Sequence, residues 1–422
     1  MNTQLIAFIL FFLFDLYVFS GLYSWFSKPL SKRNKLIIFL YWVFTLVTYL
    51  VPAYYRQQNS HLTGQFPYSF VFSIFVGIFI IKFFYFIFLA FNDIGSLFNY
   101  LFKKFARSIK VKDVENEPEK NSNIKLSRSQ FLLKTGALMA TAPAAAMTFG
   151  IASGAHDYRV RKSVVKIPNL PKGLEGIKVG QLSDIHAGSF WNKTAVQGGI
   201  DMLNAEKPDL VCFTGDLVNN VASEMNNYVN VFNKVKADLG VYSVIGNHDY
   251  GRYVVWDSEE KKAKNFSDLK KVHGVMGWNL LLNENKILDI NGEKLALVGV
   301  ENWSHNKRFP SSGDLDLAKQ GTQDVQTKIL MSHDPTHWKG EVLTQKHADI
   351  DLTLSGHTHG MQLGVETENF KWSPVKYLYE EWAGLYEKNN QNLYVNRGYG
   401  YLGFPGRLGI LPEITILELQ RA

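Results

Sequence analysis

The chain has 422 residues, more than a single domain of roughly 100–200 residues requires. Its net charge is +7, but the charge is unevenly distributed: residues 1–155 hold 15 Lys/Arg against 6 Asp/Glu, whereas residues 156–422 hold 30 against 32. The positive excess therefore gives no reason to expect nucleic-acid binding by residues 156–422. A single cysteine, Cys212, excludes a disulfide framework and a cysteine-rich metal site within one chain.

Four long apolar stretches occupy residues 1–155, and each is close to the ~20 residues with which a helix crosses ~30 Å of hydrocarbon. They predict membrane-spanning helices at about residues 5–26, 36–53, 66–91 and 131–155. A basic linker at residues 93–130 separates the third helix from the fourth. We therefore expect a multi-pass protein of the lipid bilayer, with a membrane region at residues 1–155 and a soluble domain at residues 156–422.

The distribution of Lys and Arg between the predicted helices indicates their orientation. Four lie between the first and second helices, one between the second and third, and eight between Lys103 and Arg128. Because positive loops stay in the cytoplasm, both termini and the soluble domain are expected outside it. The segment after Arg128 also resembles a twin-arginine export signal with a single arginine, which exports the same domain. The expected location is the cell (inner) membrane, with an extracytoplasmic soluble domain.

Two ionisable residues, Asp15 and Lys82, lie inside predicted spans. A charge at mid-bilayer is costly unless it is paired. The sequence leaves two interpretations open. Either the two side chains neutralise each other between the first and third helices, or each faces water or the bilayer surface separately.

Five strand-like segments in the soluble domain each end in residues that commonly bind metals. In chain order these residues are Asp184 and His186, Asp216, Asn247 with His248 and Asp249, His333, and His357 with His359. Amphipathic stretches between the first three segments, at residues 194–207 and 224–238, predict crossover helices and hence an α/β fold. In such folds functional residues gather beyond the carboxyl ends of the strands.

The ligand-type residues are carboxylates, an amide and imidazoles, without a thiolate. Such donors suit two divalent ions of Mn, Fe or Zn, and the sequence does not decide between these metals. Without His248 and Asp249, two Asp, one Asn and four His make seven donors. This number exceeds what one tetrahedral site uses, and two ions that share a bridging carboxylate account for it.

The order of these motifs resembles the calcineurin-like metallophosphoesterase family, in its membrane-anchored or exported branch. The family series D-x-H, G-D, G-N-H-D/E, H and G-H-x-H stands here as Asp184-Ile-His186, Gly215-Asp216, Gly246-Asn247-His248-Asp249, His333 and Gly356-His357-Thr358-His359. The resemblance covers about residues 165–422. It implies a four-layer α/β/β/α metallophosphoesterase sandwich, here preceded by an all-α transmembrane region of about four helices.

The resemblance also implies a role for each motif residue. Asp184, His186 and His359 would bind the first metal, Asn247, His333 and His357 the second, and Asp216 would bridge the two. His248 would contact the phosphate and either protonate the leaving oxygen or stabilise its charge. The implied reaction is hydrolysis of a phosphoester, a phosphodiester or a lipid-linked phosphate, by metal-activated hydroxide.

One position departs from the phosphoprotein phosphatases of the family, which often read GDxxDRG. The sequence here is GDLVNN, with Asn219 in place of the second Asp. An amide supports an imidazolium less than a carboxylate does, so either His248 is less basic here or Asp249 assists it. This departure argues against phosphoprotein specificity.

The C-terminal segment contributes Arg397 and Arg407, which are expected either to clamp the substrate phosphate or to serve in ion pairs and packing. Two alternatives to the phosphoesterase function stay open. One is an enzyme similar to the UDP-2,3-diacylglucosamine pyrophosphatases of lipid A synthesis, with a cytoplasmic site. The other is a non-catalytic membrane sensor. The expected partners are the bilayer and a phosphoester substrate, with no nucleic acid and no obligate protein partner.

Overall fold

The structure is a computed structural model that describes residues 3–24, 26, 29–58, 68–108 and 128–422. The chain divides into two compact units, residues 1–57 with 72–148 and residues 58–71 with 149–422. Each unit is considered by itself below.

The N-terminal part of the chain is helical. Its helices are α1 (Thr3–Tyr23), α2 (Lys32–Gln58), α3 (Tyr68–Ser108) and α4 (Arg128–Ala152). Among the described residues, three segments are long and apolar enough to cross a membrane, Lys32–Val51, Ser69–Phe105 and Lys134–His156, and a shorter apolar helix covers Ile9–Tyr23.

The predicted linker at residues 93–130 differs from what the structure shows. Helix α3 continues to Ser108, so the first part of this segment is helical, and α4 already begins at Arg128. Residues 109–127 of the linker and residues 66–67 of the third predicted span lie outside the described residues. The apolar run of α3 is extended by Phe98, Leu101, Phe102 and Phe105, which continue the helix past the predicted end of the span.

The two ionisable residues of the predicted spans form a buried ion pair. Lys82 Nζ lies 2.7 Å from Asp15 Oδ1 and donates a second hydrogen bond to Thr45 Oγ1 at 2.9 Å. The Asp15 carboxylate also accepts hydrogen bonds from the hydroxyls of Tyr49 and Tyr41. The pairing interpretation is thus the one observed, and residues of α2 complete the network.

This network predicts an unequal response to substitution. Lys82→Leu should destabilise the N-terminal unit by roughly 3–5 kcal/mol, because it leaves a buried carboxylate without its cation. Asp15→Leu with Lys82→Leu should cost less than either single change. Thermal unfolding of the full chain in detergent measures this coupling, with exposed Lys103→Leu as the control. Additive losses would mean that the two charges do not stabilise each other.

The second unit contains two six-stranded sheets and a two-stranded one. The strands are β1 (Arg159–Ile167), β2 (Lys178–Leu182), β3 (Leu210–Thr214), β4 (Val241–Val244), β5 (Asn279–Leu280), β6 (Glu284–Ile290), β7 (Glu293–Gly299), β8 (Thr327–Met331), β9 (Leu352–Ser355), β10 (Val365–Glu366), β11 (Lys371–Trp372), β12 (Gly384–Lys388), β13 (Gln391–Val395) and β14 (Glu413–Arg421). The helices are α5 (Lys193–Ala205), α6 (Val229–Phe232), α7 (Glu259–Val275) and α8 (Leu315–Ala318), with a π-helical turn at Trp338–Val342.

Each large sheet places two or three motif-bearing strands side by side. The first sheet has the order β1-β14-β2-β3-β4-β5, and the second has the order β12-β13-β9-β8-β7-β6. Strands β2, β3 and β4 are parallel neighbours in the first sheet, and β8 and β9 are parallel neighbours in the second. Strands β10 and β11 form a separate antiparallel hairpin.

The layers follow from the alternation of side chains along the strands. In β3, Leu210 and Cys212 belong to the core between the two sheets, whereas Val211 and Phe213 belong to the core under helices α5–α7. Successive residues of a strand point to opposite faces, so a fully apolar strand serves two cores. A third core packs β7, β8 and β13 against α8 and the π-helical turn. The unit is therefore the α/β/β/α sandwich expected from the sequence.

The predicted strands are all present, but the second predicted crossover helix is largely absent. Helix α5 matches the stretch at residues 194–207, whereas residues 224–238 form a 3-10 turn at Ala222–Asn227 and the short helix α6. Four asparagines in this stretch, Asn226, Asn227, Asn230 and Asn233, compete with helical hydrogen bonding through their side chains.

Candidate metal centre

The carboxyl ends of five strands meet at one place and bring the motif residues together. Asp184 and His186 follow β2, Asp216 follows β3, and Asn247 follows β4 in the first sheet. His333, after β8, and the two histidines after β9 approach from the second sheet. The main-chain N–H of His357 donates to the Asp184 carboxylate at 3.0 Å, which links the two sheets directly. The expectation that these strand ends form one site agrees with this arrangement.

A first group of ligand atoms converges from Asp184, His186 and His359. Their ligand atoms lie within 4.8 Å of one another, and all three residues are buried. Nε2 of His359 lies 3.1 Å from Asp184 Oδ1 and 3.0 Å from Nε2 of His186. This is the set that the family resemblance implies for the first metal.

A second group consists of Asp216, His333 and His357, again with ligand atoms within 4.8 Å of one another. Nε2 of His333 lies 3.1 Å from Asp216 Oδ2 and 3.3 Å from Nδ1 of His357. The same Asp216 oxygen lies 3.6 Å from Nε2 of His186, which belongs to the first group. Asp216 thus lies between the two groups, the position expected of a bridging ligand.

The two histidines of SGHTHG therefore contribute to different groups. His357 turns Nδ1 toward His333, and His359 turns Nε2 toward His186 and Asp184. Both residues have left-handed backbone conformations, with φ of 70° and 51°. This unusual backbone allows residues two apart in sequence to serve two neighbouring sites.

Left-handed backbone is concentrated at this site. Asp184, His186 and Asp216 also have positive φ, between 48° and 59°. Such conformations cost of order 1–3 kcal/mol each for non-glycine residues and persist where the surroundings impose them. Gly356 is required for a related reason, since a Cβ there would lie 2.0 Å from Ser183 Oγ. The placement of these side chains therefore lowers the free energy of unfolding of the domain.

The residues present fit two divalent cations. Asn247 donates through Nδ2 to the hydroxyl of Tyr253 at 2.8 Å, while its buried Oδ1 has no hydrogen-bond partner among the described residues. A buried amide oxygen that accepts no hydrogen bond keeps lone pairs that a metal ion could take. Nitrogen and oxygen donors of this kind suit Mn, Fe or Zn, and the arrangement does not decide between them.

The electrostatics of the second group favour positive charge. Burial alone would raise the pKa of Asp216, but the charges of His333 and His248 outweigh it and hold this pKa well below its usual value. Burial likewise opposes protonation of His333, yet the charge and hydrogen bond of Asp216 raise its pKa to about 10. Burial lowers the pKa of His186. The Asp216–His333 pair thus stabilises a positive charge where a cation would supply one.

His248 is held beside both groups by main-chain contacts. Its main-chain N–H donates to Asp216 Oδ1 at 2.8 Å, and its ring Nδ1 lies 2.7 Å from the carbonyl oxygen of Asn219. The ring lies 4.9 Å from that of His186 and 4.4 Å from that of Tyr253, measured between centroids. Burial lowers the pKa of His248, although the charge of Asp216 opposes this. Nε2 remains as the ring atom available to a substrate.

Of the two alternatives that the sequence left open, the lower basicity of His248 agrees with the structure, although the ring partner is not the Asn219 amide. The side-chain amide of Asn219 bonds to Ser189 Oγ, so its main-chain carbonyl, and not the amide, holds the imidazole. Asp249 does not assist His248 either. Its buried carboxylate accepts main-chain N–H groups from Asp216, Leu217, Val218 and Gly246. Asp249 therefore positions the loop that carries Asp216.

Two tyrosines that the motifs did not single out contact His357 of the second group and the nearby Asn247. The hydroxyl of Tyr379 lies 2.9 Å from Nε2 of His357, and that of Tyr253 accepts the Asn247 amide. Each contact occupies the ligand's other polar atom, which leaves His357 Nδ1 and Asn247 Oδ1 to face the site. Outer partners of this kind set the orientation of metal ligands. Of the two, only Tyr379 lies in a tyrosine-rich part of the sequence, at residues 377–401.

The structure argues against substrate contact by Arg397 and Arg407. Arg397 is buried between Glu413, at 2.5 Å, and Glu366, at 2.6 Å. Arg407 is also buried and donates to the carbonyl oxygens of Gly400, at 3.0 Å, and Arg397, at 2.8 Å. Its Nη2 lies 3.3 Å from Nδ1 of His359. Both guanidinium groups are thus engaged by the protein, which agrees with the packing role that the sequence left as the alternative.

Comparisons with known proteins agree with this architecture. The profile described as "Calcineurin-like phosphoesterase" matches residues 177–361, and "Probable Calcineurin-like phosphoesterase, transmembrane domain" matches residues 1–155. The transmembrane protein with metallophosphoesterase domain from Bos taurus is 32% identical over 285 residues, 65% of this chain and 60% of that protein. Its counterpart from Danio rerio is 29% identical over 290 residues, with the same two shares.

A bacterial relative is covered almost completely. The uncharacterized metallophosphoesterase YkuE of Bacillus subtilis (strain 168) is 28% identical over 303 residues, 70% of this chain and 98% of that protein. By contrast, the chain spans only about three fifths of the length of the two animal relatives. The chain belongs to the calcineurin-like metallophosphoesterases, and within that family it is a membrane protein whose N-terminal residues form the transmembrane phosphoesterase domain.

Proposed function

We propose that this protein is a membrane-anchored phosphoesterase that uses two divalent metal ions to hydrolyse a phosphodiester or a lipid-linked phosphate. The observation that carries the proposal is the pair of ligand groups that share Asp216, with His248 beside both. A sensor that only binds its ligand would not require a second ligand group. It would also not require an imidazole such as that of His248, which lies beside both groups without belonging to either. Bound cations would polarise the phosphoryl group and activate the attacking water.

The chain's own residues supply position and a proton. Asn219 holds Nδ1 of His248 and Asp216 holds its main-chain N–H, so the distance between Nε2 and the ligand groups is set by two hydrogen bonds. Nε2 can hold a proton for the departing oxygen or donate a hydrogen bond to the phosphoryl group. His186 and His333 are fully buried, so they would serve as metal ligands and are not available to the leaving group.

The activity is tested with the purified full chain in detergent or nanodiscs. With Mn²⁺ added, it should hydrolyse bis-p-nitrophenyl phosphate, and chelation with EDTA should stop the reaction. Hydrolysis that is insensitive to chelation, or no hydrolysis with Mn²⁺, Fe²⁺ or Zn²⁺, would contradict the proposal.

The location of the site on the extracytoplasmic side of the inner membrane is part of the proposal. The distribution of Lys and Arg supports it through the positive-inside rule. A phosphatase reporter fused after Ala422 should be active in the periplasm, with a cytoplasmic fluorescent reporter as its counterpart. Activity of the cytoplasmic reporter alone would favour a site inside the cell, as in the pyrophosphatase alternative.

The two tyrosines give a prediction specific to the second metal. Tyr379→Phe and Tyr253→Phe should each weaken binding of that metal about 10–100-fold, because the orienting contact to His357 or Asn247 is lost. Excess Mn²⁺ should restore most of the hydrolysis rate. Titration of metal-free protein with Mn²⁺ measures both effects, and Tyr377→Phe, at an exposed neighbouring position, is the control. Unchanged affinity in both variants would show that the contacts do not orient the ligands.

A further inference from the structure

The chain segment that follows the SGHTHG motif exposes apolar side chains on one face. Met361, Leu363 and Val365 are 44%, 45% and 52% exposed. Leu363 and Val365 are two residues apart in extended chain and share a face, whereas Met361 precedes them in a turn with left-handed backbone. In the β10–β11 hairpin Val365 pairs with Trp372, and Thr367 bonds Phe370 across the turn, which places Phe370 on the face of Val365. Phe370 is 58% exposed. We call these four exposed residues the apolar hairpin face: Met361, Leu363, Val365 and Phe370.

The hairpin is inverted relative to one that faces water. Its other face carries Glu366, whose carboxylate pairs with Arg161 at 2.7 Å and Arg397 at 2.6 Å, and Lys371, which donates to a main-chain carbonyl. The Glu366 carboxylate is thus turned into the protein and the apolar side chains are turned outward, whereas Lys371 stays exposed although its ammonium group reaches that carbonyl. Six of the fifteen exposed large hydrophobic residues of residues 156–422 lie between 361 and 378, a concentration that marks an interaction surface.

Hydrogen bonds link this face to the end of an apolar membrane segment. Leu408 donates its N–H to Gln362 at 2.7 Å and accepts from Gly364 at 2.8 Å, and the adjacent Arg407 donates to Gly150 at 3.1 Å. Gly150 lies within the segment Lys134–His156, which is long and apolar enough to cross a membrane. The contact there is tight, since a Cβ at Gly154 would lie 2.0 Å from the Arg407 carbonyl oxygen. Only the segment of Arg407 and Leu408 therefore separates the face from the last turn of that apolar segment.

The same face adjoins the metal centre. Met361 follows His359 by two residues, and Ser373, next to β11, donates to the carbonyl oxygen of Gly360 at 2.8 Å. A surface that lies between the end of a membrane segment and a metal ligand has one natural occupant, the lipid at the bilayer surface. Apolar side chains at such a boundary insert roughly 5–10 Å into the headgroup and acyl region.

We propose that the apolar hairpin face lies in the bilayer surface and delivers a lipid-borne phosphoester to the metal centre. The substrate class is then a membrane lipid that carries a phosphate ester, not a soluble metabolite. This statement of the substrate rests on the proposed phosphoesterase function, whereas the membrane contact of the face does not.

Site-directed labelling tests the contact independently of catalysis. Cys212 is buried, so Leu363→Cys and Phe370→Cys each offer one accessible thiol for a bimane fluorophore in the full chain. Val275→Cys on α7 and Leu317→Cys on α8, exposed apolar positions outside the face, are the matched controls. In nanodiscs with nitroxide-labelled lipids, the two labels on the face should lose at least about twofold in fluorescence and the controls should not.

Unquenched labels at both face positions would overturn the proposal. Equal quenching at all four positions would do the same, because it would show no selective contact. Quenching that appears only above a threshold protein concentration, and without labelled lipid, would indicate a second copy of the chain as the occupant and would also contradict the proposal.

A second measurement tests delivery of the substrate. Leu363→Ser with Phe370→Ser should lower the ratio of rates on phosphatidyl-p-nitrophenol and on bis-p-nitrophenyl phosphate about tenfold, since the two esters share a leaving group and differ in the lipid. Val275→Ser with Leu317→Ser should leave this ratio unchanged. An unchanged ratio in the face variant overturns lipid delivery. If neither ester is hydrolysed by the wild type, the phosphoesterase function fails, and the quenching result still decides the membrane contact.

Discussion

Asp216→Asn should lower the rate of bis-p-nitrophenyl phosphate hydrolysis by about 1000-fold or more. The reason is that a carboxylate shared by two metal sites would contribute several kcal/mol to catalysis. Asp216 Oδ2 lies 3.1 Å from His333 and 3.6 Å from His186, so its charge serves both ligand groups. The amide oxygen of Asn is a weaker ligand and carries no charge. The kcat of the full chain in detergent with saturating Mn²⁺ measures this loss.

The controls separate chemistry from folding. Asp201→Asn, at an exposed position on α5, should keep the wild-type rate. His248→Gln should lose about 100- to 10,000-fold in kcat, as expected for a proton donor, while it retains both metals. An Asp216→Asn variant that folds, binds metal and keeps its rate would remove the basis of the proposed mechanism.

Loss of His359 should weaken one metal and spare the other. His359→Ala removes a ligand from the group of Asp184 and His186, whereas the group of Asp216, His333 and His357 stays complete. We expect about one tightly bound metal per chain, against two in the wild type, since a site that lacks one of three protein ligands loses far more than the 10–100-fold of an outer contact. Metal content after gel filtration, determined by plasma mass spectrometry, is the measurement.

His357→Ala should also retain about one metal, in this case the one held by Asp184, His186 and His359. Substitution of Tyr379 distinguishes the two variants. Tyr379→Phe should weaken the remaining metal in the His359→Ala background, because Tyr379 contacts His357. In the His357→Ala background it should have no effect. Release of both metals by His359→Ala alone would show that the SGHTHG histidines do not serve separate ions.

The parts of the site that could be predicted from sequence are those with a local signature. Apolar segments such as residues 210–214 are strands long enough to define two cores, and the polar residues after them necessarily lie at the strand ends. The separation of His357 from His359 followed from the family resemblance. The structure adds its physical cause, the left-handed backbone at both residues.

The remaining contacts depend on tertiary structure that no local pattern encodes. Tyr379 contacts His357 from 22 residues away in sequence. The partner of His248 is a main-chain carbonyl oxygen, and the side-chain sequence does not predict a contact of that kind. The sequence left Arg397 as either a phosphate ligand or a packing residue, and its carboxylate partners, 16 and 31 residues away in sequence, favour packing. The role of a buried arginine is decided by its ion pairs with carboxylates distant in sequence, and the composition of the segment does not predict these pairs.

Stoichiometric titration with Mn²⁺ is the most direct test of whether this protein hydrolyses phosphoesters with a centre of two metal ions. Mn²⁺ is added to the metal-free full chain at a protein concentration far above the metal Kd, while hydrolysis of bis-p-nitrophenyl phosphate is followed. The structure predicts that the rate rises until two equivalents per chain are bound and is then constant, as its two ligand groups require. A rate that is complete at one equivalent, or that does not depend on Mn²⁺, would contradict it.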